Sequence, residues 1–255
     1  MLLSGDREIS ISVITAVWNR VDTIEDCLKS FKAQTYVNKE QIVIDGESID
    51  GTINVLNAYK NQLSVLVSER DQGIYDALNK GIAASNSDVI GFLHADDVYA
   101  STDVLSKVAK AFRNPEVSAV FGNLQYVSKD DLLHVVRNWN SCTFHHGMLS
   151  YGWMPPHPTL YVRREWYKKI NGFDLKYKIS ADYLSVLQLF SNPGFNSVYL
   201  PMVFIKMRVG GVSNSSIRNI LKKSSEDLMA LNDTKVGGIF ALALKNLRKI
   251  HQFFK

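Results

Sequence analysis

The sequence predicts an α/β protein with a mostly parallel sheet, a mixed second half and a C-terminal helical extension. Three observations carry this. Between residues 9 and 121, short apolar runs rich in β-branched residues alternate with segments of helical spacing, the pattern of βαβ units. After Gly122 the alternation gives way to a hairpin-like segment and a stretch dense in His, Trp, Gly and Pro. From about residue 217 onward two helical patterns follow each other with no strand between them.

Taken in order, residues 9–17 (ISISVITAV) read as a buried strand. Ile24, Cys27, Leu28 and Phe31 give residues 22–34 a helical stripe, with Asp22 placed to cap it. A second strand spans 41–44, a helix 52–59, a third strand 63–68, a helix 74–84 and a fourth strand 89–93. Residues 104–112 are helical and 119–121 open a fifth strand. In the second half, 125–136 reads as a hairpin turning at Lys129-Asp130-Asp131, and 139–158 as loops of the kind that surround a site. A strand at 159–162, short helix at 165–170, helix at 181–190 and strand at 197–205 complete it. The chain divides into one domain, 1–216, in two parts (1–122 and 123–216), and an extension, 217–255.

Composition narrows the function. The chain has 255 residues, 46% hydrophobic and 21% charged, so it carries a core and is not disordered. The net charge of +4 is concentrated after Asp233, where Lys235, Lys245, Arg248, Lys249 and Lys255 occur without an acid. The remainder is near neutral, which argues against nucleic acid as a partner. Cys27 and Cys142 are too few and too far apart for a disulfide framework or a cysteine zinc site. The early acids and short apolar run of MLLSGDREIS do not fit a signal peptide, and no run reaches the roughly 18 residues of a membrane span. A cytoplasmic location is expected.

The chemistry lies at the strand ends. In open α/β sheets, ligands bind beyond the carboxyl ends of the strands. Here four successive ends carry Asp or Asn: Asn19, then Asp45 and Asp50, then Asp71, then His94-Ala95-Asp96-Asp97. Clustered carboxylates repel unless a cation or hydrogen-bond donors compensate. Asp96-Asp97 follows a fully apolar strand, and adjacent hard carboxylates suit Mg²⁺ or Mn²⁺, which leave positions open for phosphate. The alternative is a solvated turn, the reading taken for Asp130-Asp131. Gly46–Thr52 matches the outline of a phosphate loop, but it lacks the lysine, and Glu47 and Asp50 repel phosphate. Asp45 suits hydrogen bonding to a nucleobase or ribose, and Asp50 suits capping the helix at Thr52.

Thr15–Arg20, DGESIDGT, SERDQGIYDALNKGI and the apolar strand ending in HADD occur here in this order and spacing. Together they closely resemble glycosyltransferase family two, whose members are inverting, nucleotide-sugar-dependent enzymes of the Rossmann-like GT-A fold. The resemblance covers most of residues 9–215 and points to the subgroup that builds bacterial exopolysaccharide, O-antigen and glycolipid chains. It implies a nucleotide-sugar half at 1–122 and an acceptor half at 123–216. Thr15, Ala16, Asn19 and Asp45 would then lie around the nucleobase, and Asp71, Asp76, Asn79 and Lys80 around the nucleotide and sugar. Asp96 would contact the ribose or donor sugar and Asp97 would ligate the metal, Mn²⁺ or Mg²⁺. His94 departs from the usual Asn or Asp.

The second half should supply the acceptor side. Inversion requires a base for the acceptor hydroxyl, and the resemblance assigns Asp182, although Ala181 stands where the family usually has Glu. Read alone, Asp182 is equally a helix-capping residue. His157, in a Pro-Pro-His-Pro run, is either near the diphosphate or acceptor, or structural. Arg208 opens a Gly-Gly-Val-Ser stretch that resembles the family's closing loop and would face phosphate. In the extension, Ile239, Leu242, Leu247, Ile250, Phe253 and Phe254 fall on one face with cations largely opposite, the pattern of an interfacial helix or of a packed one.

The resulting expectation is a metal-dependent inverting glycosyltransferase. It would take a UDP-sugar, or otherwise a GDP-sugar, to a lipid-linked or glycan acceptor. It would work at the inner face of a membrane through residues 237–255. The alternative from another class is a non-catalytic nucleotide-sugar-binding module. A nucleotidyltransferase or dinucleotide oxidoreductase would need a glycine-rich loop after the first strand, and AVWNR is not one.

Overall fold

The computed structural model describes residues 8–210 and 217–251. Nine strands form one sheet in the order β3-β2-β1-β4-β8-β6-β9-β5, with β7 paired to β6. The first half is the expected parallel unit. Strands β1 (Ile11–Val17), β2 (Lys39–Asp45), β3 (Val65–Ser68) and β4 (Val89–Phe92) run in the same direction. Helices α1 (Ile24–Lys32), α2 (Thr52–Tyr59) and α3 (Ile74–Ala84) make the crossovers between them.

Alternation along β1 explains why its text is mostly apolar, with Ser12 and Thr15 buried as well. Ile11, Val13 and Val17 enter a core with Ile24, Leu28 and Phe31 of α1 and Leu56 of α2. Ile14 and Ala16 enter the opposite core with Leu78 of α3. A strand covered on both faces has no polar side to display. Asp22 is exposed and does not cap α1; Thr23 takes that position. Asp50 does hold the start of α2, accepting from the Thr52 N–H at 2.9 Å.

After β4 the chain makes a short strand the sequence reading missed, β5 (Asp97–Tyr99), and helix α4 (Val104–Phe112). Three residues are too few to show a period. Their strand character comes from β9 (Ser197–Arg208), to which they pair antiparallel, Asp97 opposite Met207. The expected strand and hairpin arm fuse into one strand, β6 (Ala119–Val127), with its partner β7 (Val135–Trp139). The solvated Lys129-Asp130-Asp131 turn lies between them. Strand β8 (Tyr161–Arg163) inserts between β4 and β6 antiparallel to both, making the second half mixed. Helices α5 (Arg164–Lys169) and α6 (Ala181–Phe190) follow, and α6 coincides with its expected span.

Helices α7 (Ile217–Thr234) and α8 (Ile239–His251) extend the chain. Ala230, Leu231 and Ala241 join the same core as α3 and α6. The 211–214 part of the Gly-Gly-Val-Ser stretch lies outside the described residues.

Close packing at β4 yields a stability test. A Cβ on Gly91 would sit 2.2 Å from the Tyr161 ring. That ring is fully buried and its hydroxyl lies 2.7 Å from that of Tyr99. Gly91→Ala should therefore destabilise the fold by about 1–3 kcal/mol, the usual range for overpacking. Urea unfolding checks this; an unchanged midpoint would show that Tyr161 can move aside.

Candidate functional site

The carboxyl ends of β1, β2, β3 and β4 converge on one edge of the sheet. Asn19 leaves β1 with a left-handed backbone (φ 51°), and its N–H donates to Ser48 Oγ while its Oδ1 accepts from Ile49 N. Asp45, fully buried, accepts from Ser48 Oγ at 2.5 Å and Ser68 Oγ at 2.6 Å. These bonds fasten three strand ends together. They also use the polar atoms expected to meet the nucleobase. Thr15 is likewise buried, its hydroxyl accepting from Gln41 Nε2, and Ala16 lies in the core.

A similar set of joints runs along α3. Asn79 donates to the Phe173 carbonyl and accepts from the Phe173 N–H, both at 2.8 Å, tying α3 to the Gly172 turn. Lys80 pairs with Glu69 at 2.8 Å and Asp76 at 3.5 Å, and Asp76 accepts from Gln72 N. Arg208 is buried. Its guanidinium donates to Asp26 Oδ2 at 2.6 Å and to the carbonyls of Asp96 and Lys129. It braces the backbone of the Asp96 turn.

What remains at the open edge is a smaller set. Trp18 is 63% exposed at the end of β1. Asp71 Oδ2 and the Trp18 ring both lie over Gly46, where a Cβ would come within 2.6 Å of the former and 3.5 Å of the latter. Arg20 was not singled out from the sequence, because nothing in its spacing distinguishes it from a solvated arginine. Its Nε lies 3.9 Å from Asp96 Oδ2, with both side chains about one third exposed.

Asp97 differs from its neighbour. Its carboxyl is fully buried and neither oxygen has a hydrogen-bond partner. Burial, reinforced by Asp96, pushes its pKa well above the ordinary carboxylate range, with Arg208 opposing. An orphaned buried carboxylate is what a cation site provides, so the Asp96-Asp97 turn fits a divalent metal. Among the described residues no three His, Cys, Asp or Glu side chains cluster as a ready-made metal site.

Asp182 lies at the start of α6. Its Oδ1 is 3.1 Å from the Tyr75 hydroxyl, which also donates to the Ile179 carbonyl at 2.7 Å. The cap position of α6 belongs to Ser180, so Asp182 is not the capping residue. Burial works to raise its pKa, but positive charge, first from a protonated His157 and then from Lys223 and Lys245, together with the Tyr183 N–H, holds it below the ordinary carboxylate value. Asp182 is therefore ionised at neutral pH. His94 sits in the field of both Asp96 and Asp182, and burial lowers its pKa. His157 stacks on Phe92 at 5.3 Å and edges Phe173, with its Nε2 buried and unpartnered. Burial brings it down to about 4, so it is neutral at pH 7.

This fold and edge define an α/β protein with acids gathered at the carboxyl ends of its parallel strands and an ionised carboxylate at the head of α6. The chain belongs to glycosyl transferase family 2, whose description it matches over residues 12–177. A Mycobacterium bovis PGL/p-HBAD biosynthesis glycosyltransferase is 28% identical over 225 residues, 83% of this chain and 82% of that one. A Mycobacterium tuberculosis glycosyltransferase is 32% identical over 182 residues, 70% and 68% of the two chains. Among solved structures, the mannosyltransferase PcManGT of Pyrobaculum calidifontis, in complex with GDP-Man and Mn²⁺, superposes with a TM-score of 0.68 at 18% identity. That match covers 95% of this chain and 71% of that one. S. aureus TarS 1–349 with UDP-GlcNAc gives 0.67 at 15% identity over 89% and 65%. The fold is GT-A.

His157 gives a pH test. Its folded pKa of about 4 lies below the 6.5 of an ordinary imidazole, so the unfolded chain takes up the proton first as pH falls. The stability held by neutral His157 is full above about pH 6.5 and is lost towards about pH 4, by up to about 3 kcal/mol. His157→Phe should flatten the urea midpoint against pH across that window. An unchanged slope would assign the acid lability to other groups.

Proposed function

We propose that the chain transfers a sugar, with inversion, from a nucleoside-diphosphate donor to a hydroxyl acceptor in glycolipid or surface-polysaccharide synthesis. The observation that carries this reading is the pair of carboxylates, Asp97 buried and without a hydrogen-bond partner at the strand-end edge, and Asp182 at the head of α6 against the Tyr75 hydroxyl of α3. A binding module would have no need of an ionised carboxylate opposite the diphosphate position. The solved structures with GDP-Man or UDP-GlcNAc support the donor class, and the PGL/p-HBAD biosynthesis relative supports a place in glycolipid-related synthesis.

In this reading, Trp18 and Asp71 flank the nucleoside, and Arg20 and Asp96 face the diphosphate. Thr15, Ala16, Asn19, Asp45, Asp76, Asn79, Lys80 and Arg208 hold those groups in place without touching the donor themselves. Mn²⁺ or Mg²⁺ would be held by Asp96 and Asp97 and, when bound, would offset charge on the departing diphosphate. Asp182 accepts the acceptor's hydroxyl proton while that oxygen bonds to the anomeric carbon from the face opposite the leaving group. The anomeric carbon–phosphate oxygen bond breaks, and the nucleoside diphosphate leaves with the electron pair.

Asp182→Asn should lower turnover by about 10²–10⁴-fold with nucleotide affinity nearly unchanged. Asp97→Asn and Asp96→Asn should instead weaken metal-dependent UDP or GDP binding, measured by calorimetry with Mn²⁺ and with EDTA. Full turnover in Asp182→Asn would overturn the base. Full turnover in EDTA would overturn the metal.

The C-terminal helices favour a reaction at a membrane surface on its cytoplasmic side. Lys245, expected on an outward basic face, is instead buried, 2.8 Å from Asp227 of α7 and over the Tyr183 ring. Ala241 is buried beside it, while Ile239, Phe240, Ala243 and Leu247 are exposed. These four fall within an arc of about 100° on the α8 surface, so the helix turns its apolar side outward. Among the described residues no helix is long and apolar enough to cross a membrane. Lys235, Arg248, Lys249 and Lys255, with no acid after Asp233, complement anionic lipid. The side chains of the last three lie outside the described residues. Co-sedimentation with phosphatidylglycerol liposomes should occur at low salt, decline as salt rises, and drop sharply in Phe240→Ser/Leu247→Ser. Binding equal to that of neutral liposomes would overturn this, as would a dimer that buries α8.

A further inference from the structure

The strongest unexplained group is Glu226, an acid in the middle of α7 that is only 6% exposed. Its carboxylate accepts three backbone hydrogen bonds, from the N–H groups of Lys178 (3.2 Å), Ile179 (2.8 Å) and Ser180 (3.0 Å). These amides lead directly into α6. A helix start leaves its first N–H groups without intrahelical partners, and a local Ser, Thr or Asp side chain ordinarily satisfies one of them. Ser180 makes no such side-chain cap here; its hydroxyl donates instead to the Lys223 carbonyl of α7. An acid from a distant helix takes over the turn that precedes Asp182.

That turn is gripped from the other side by α3. Tyr75 donates to the carbonyl of Ile179, whose N–H goes to Glu226, and the same hydroxyl lies against Asp182. The peptide units on either side of Ile179 are thus fixed between α7 and α3, and Asp182 follows three residues later. The Tyr177 hydroxyl donates to Asp233 of α7 at 2.7 Å, and the buried Asp227–Lys245 pair fixes α7 against α8.

We propose that Glu226 is a positioning residue for Asp182, so that α7, outside the sheet, is part of the catalytic apparatus. The proposal rests on Asp182 being the base. A carboxylate aimed at three amides sets the direction of the first turn of α6, and with it the reach of Asp182 towards the acceptor hydroxyl. Displacement of a reacting group by about 1 Å costs on the order of 100-fold in rate.

The test is a double-mutant cycle on the full chain. Glu226→Ala and Glu226→Gln are each made with Asp182 present and with Asp182→Asn. Turnover of UDP-GlcNAc or GDP-mannose with Mn²⁺ is followed by nucleotide release, and UDP or GDP affinity by calorimetry. Glu226→Ala should lower kcat by about 10–100-fold with nucleotide affinity unchanged, and Glu226→Gln, which keeps one acceptor oxygen, should recover part of it. In the Asp182→Asn background, removing Glu226 should cost nothing further, because the group it orients is gone. An equal loss in both backgrounds overturns the proposal, as does an unchanged kcat well below the unfolding temperature. Where Glu226→Ala fails to fold, the same cycle with Glu226→Gln decides. Failure of the base reading appears separately, as full activity in Asp182→Asn alone, and the proposal falls with it.

Discussion

Ile11 pairs with Val89 and Ile14 with Phe92, and this parallel register between β1 and β4 is the constraint on which the site depends. Parallel neighbours end on the same edge of the sheet. Trp18 to Arg20 and His94 to Asp97 are therefore delivered side by side, although they are distant in sequence. Both strands are buried on both faces, so neither can slip by one residue without turning apolar side chains into the wrong core. The Arg20–Asp96 ion pair and the Arg208 bond to the Asp96 carbonyl are consequences of this placement. With its side chains partly exposed, the ion pair adds little stability. Its value is in keeping opposite charges at the mouth, where a polyanion would meet them.

The second half is joined to that edge by a few bonds through α3. Asn79 holds the Phe173 backbone, Tyr75 holds the Ile179 carbonyl, and the Tyr75 ring packs on Phe173 with centroids 5.5 Å apart. The strand-end edge and Asp182 are thus referenced to one helix. This answers a difficulty of the fold, in which Asp182 sits on a helix that itself supplies no strand. Beside α3, the pairing of β8 with β4 ties the two halves together through the sheet.

Much of this arrangement was legible in the sequence, because β-branched runs and helical spacing report burial directly. The span of α6, the parallel first half and the strand-end acids were all visible. What the sequence could not supply was the partners of its polar residues. Asp45, Asn79 and Arg208 were read as ligands because polar residues at strand ends and helix starts are shared by binding sites and by the joints that build them. Only a partner distinguishes the two, and those partners (Ser68, Phe173, Asp26) are remote in sequence. Strand β5 was invisible for a related reason, since its pairing with β9 lies more than 100 residues away.

The same logic explains the reversed face of α8. A periodic stripe states that one side of a helix is apolar, but not which side meets the protein. Burial of Lys245 is tolerated because Asp227 accompanies it at 2.8 Å and the Tyr183 ring lies beneath. A buried pair of this kind seldom adds net stability compared with apolar packing, but it penalises any arrangement that separates the charges. The pair therefore fixes the rotation of α8 about its own axis. Once Lys245 faces inward, Ile239 and Leu247 must face out. An apolar outer face is retained in a chain only if something covers it. The cations that accompany it in sequence favour a surface that is both apolar and anionic, which is a lipid bilayer more readily than another protein.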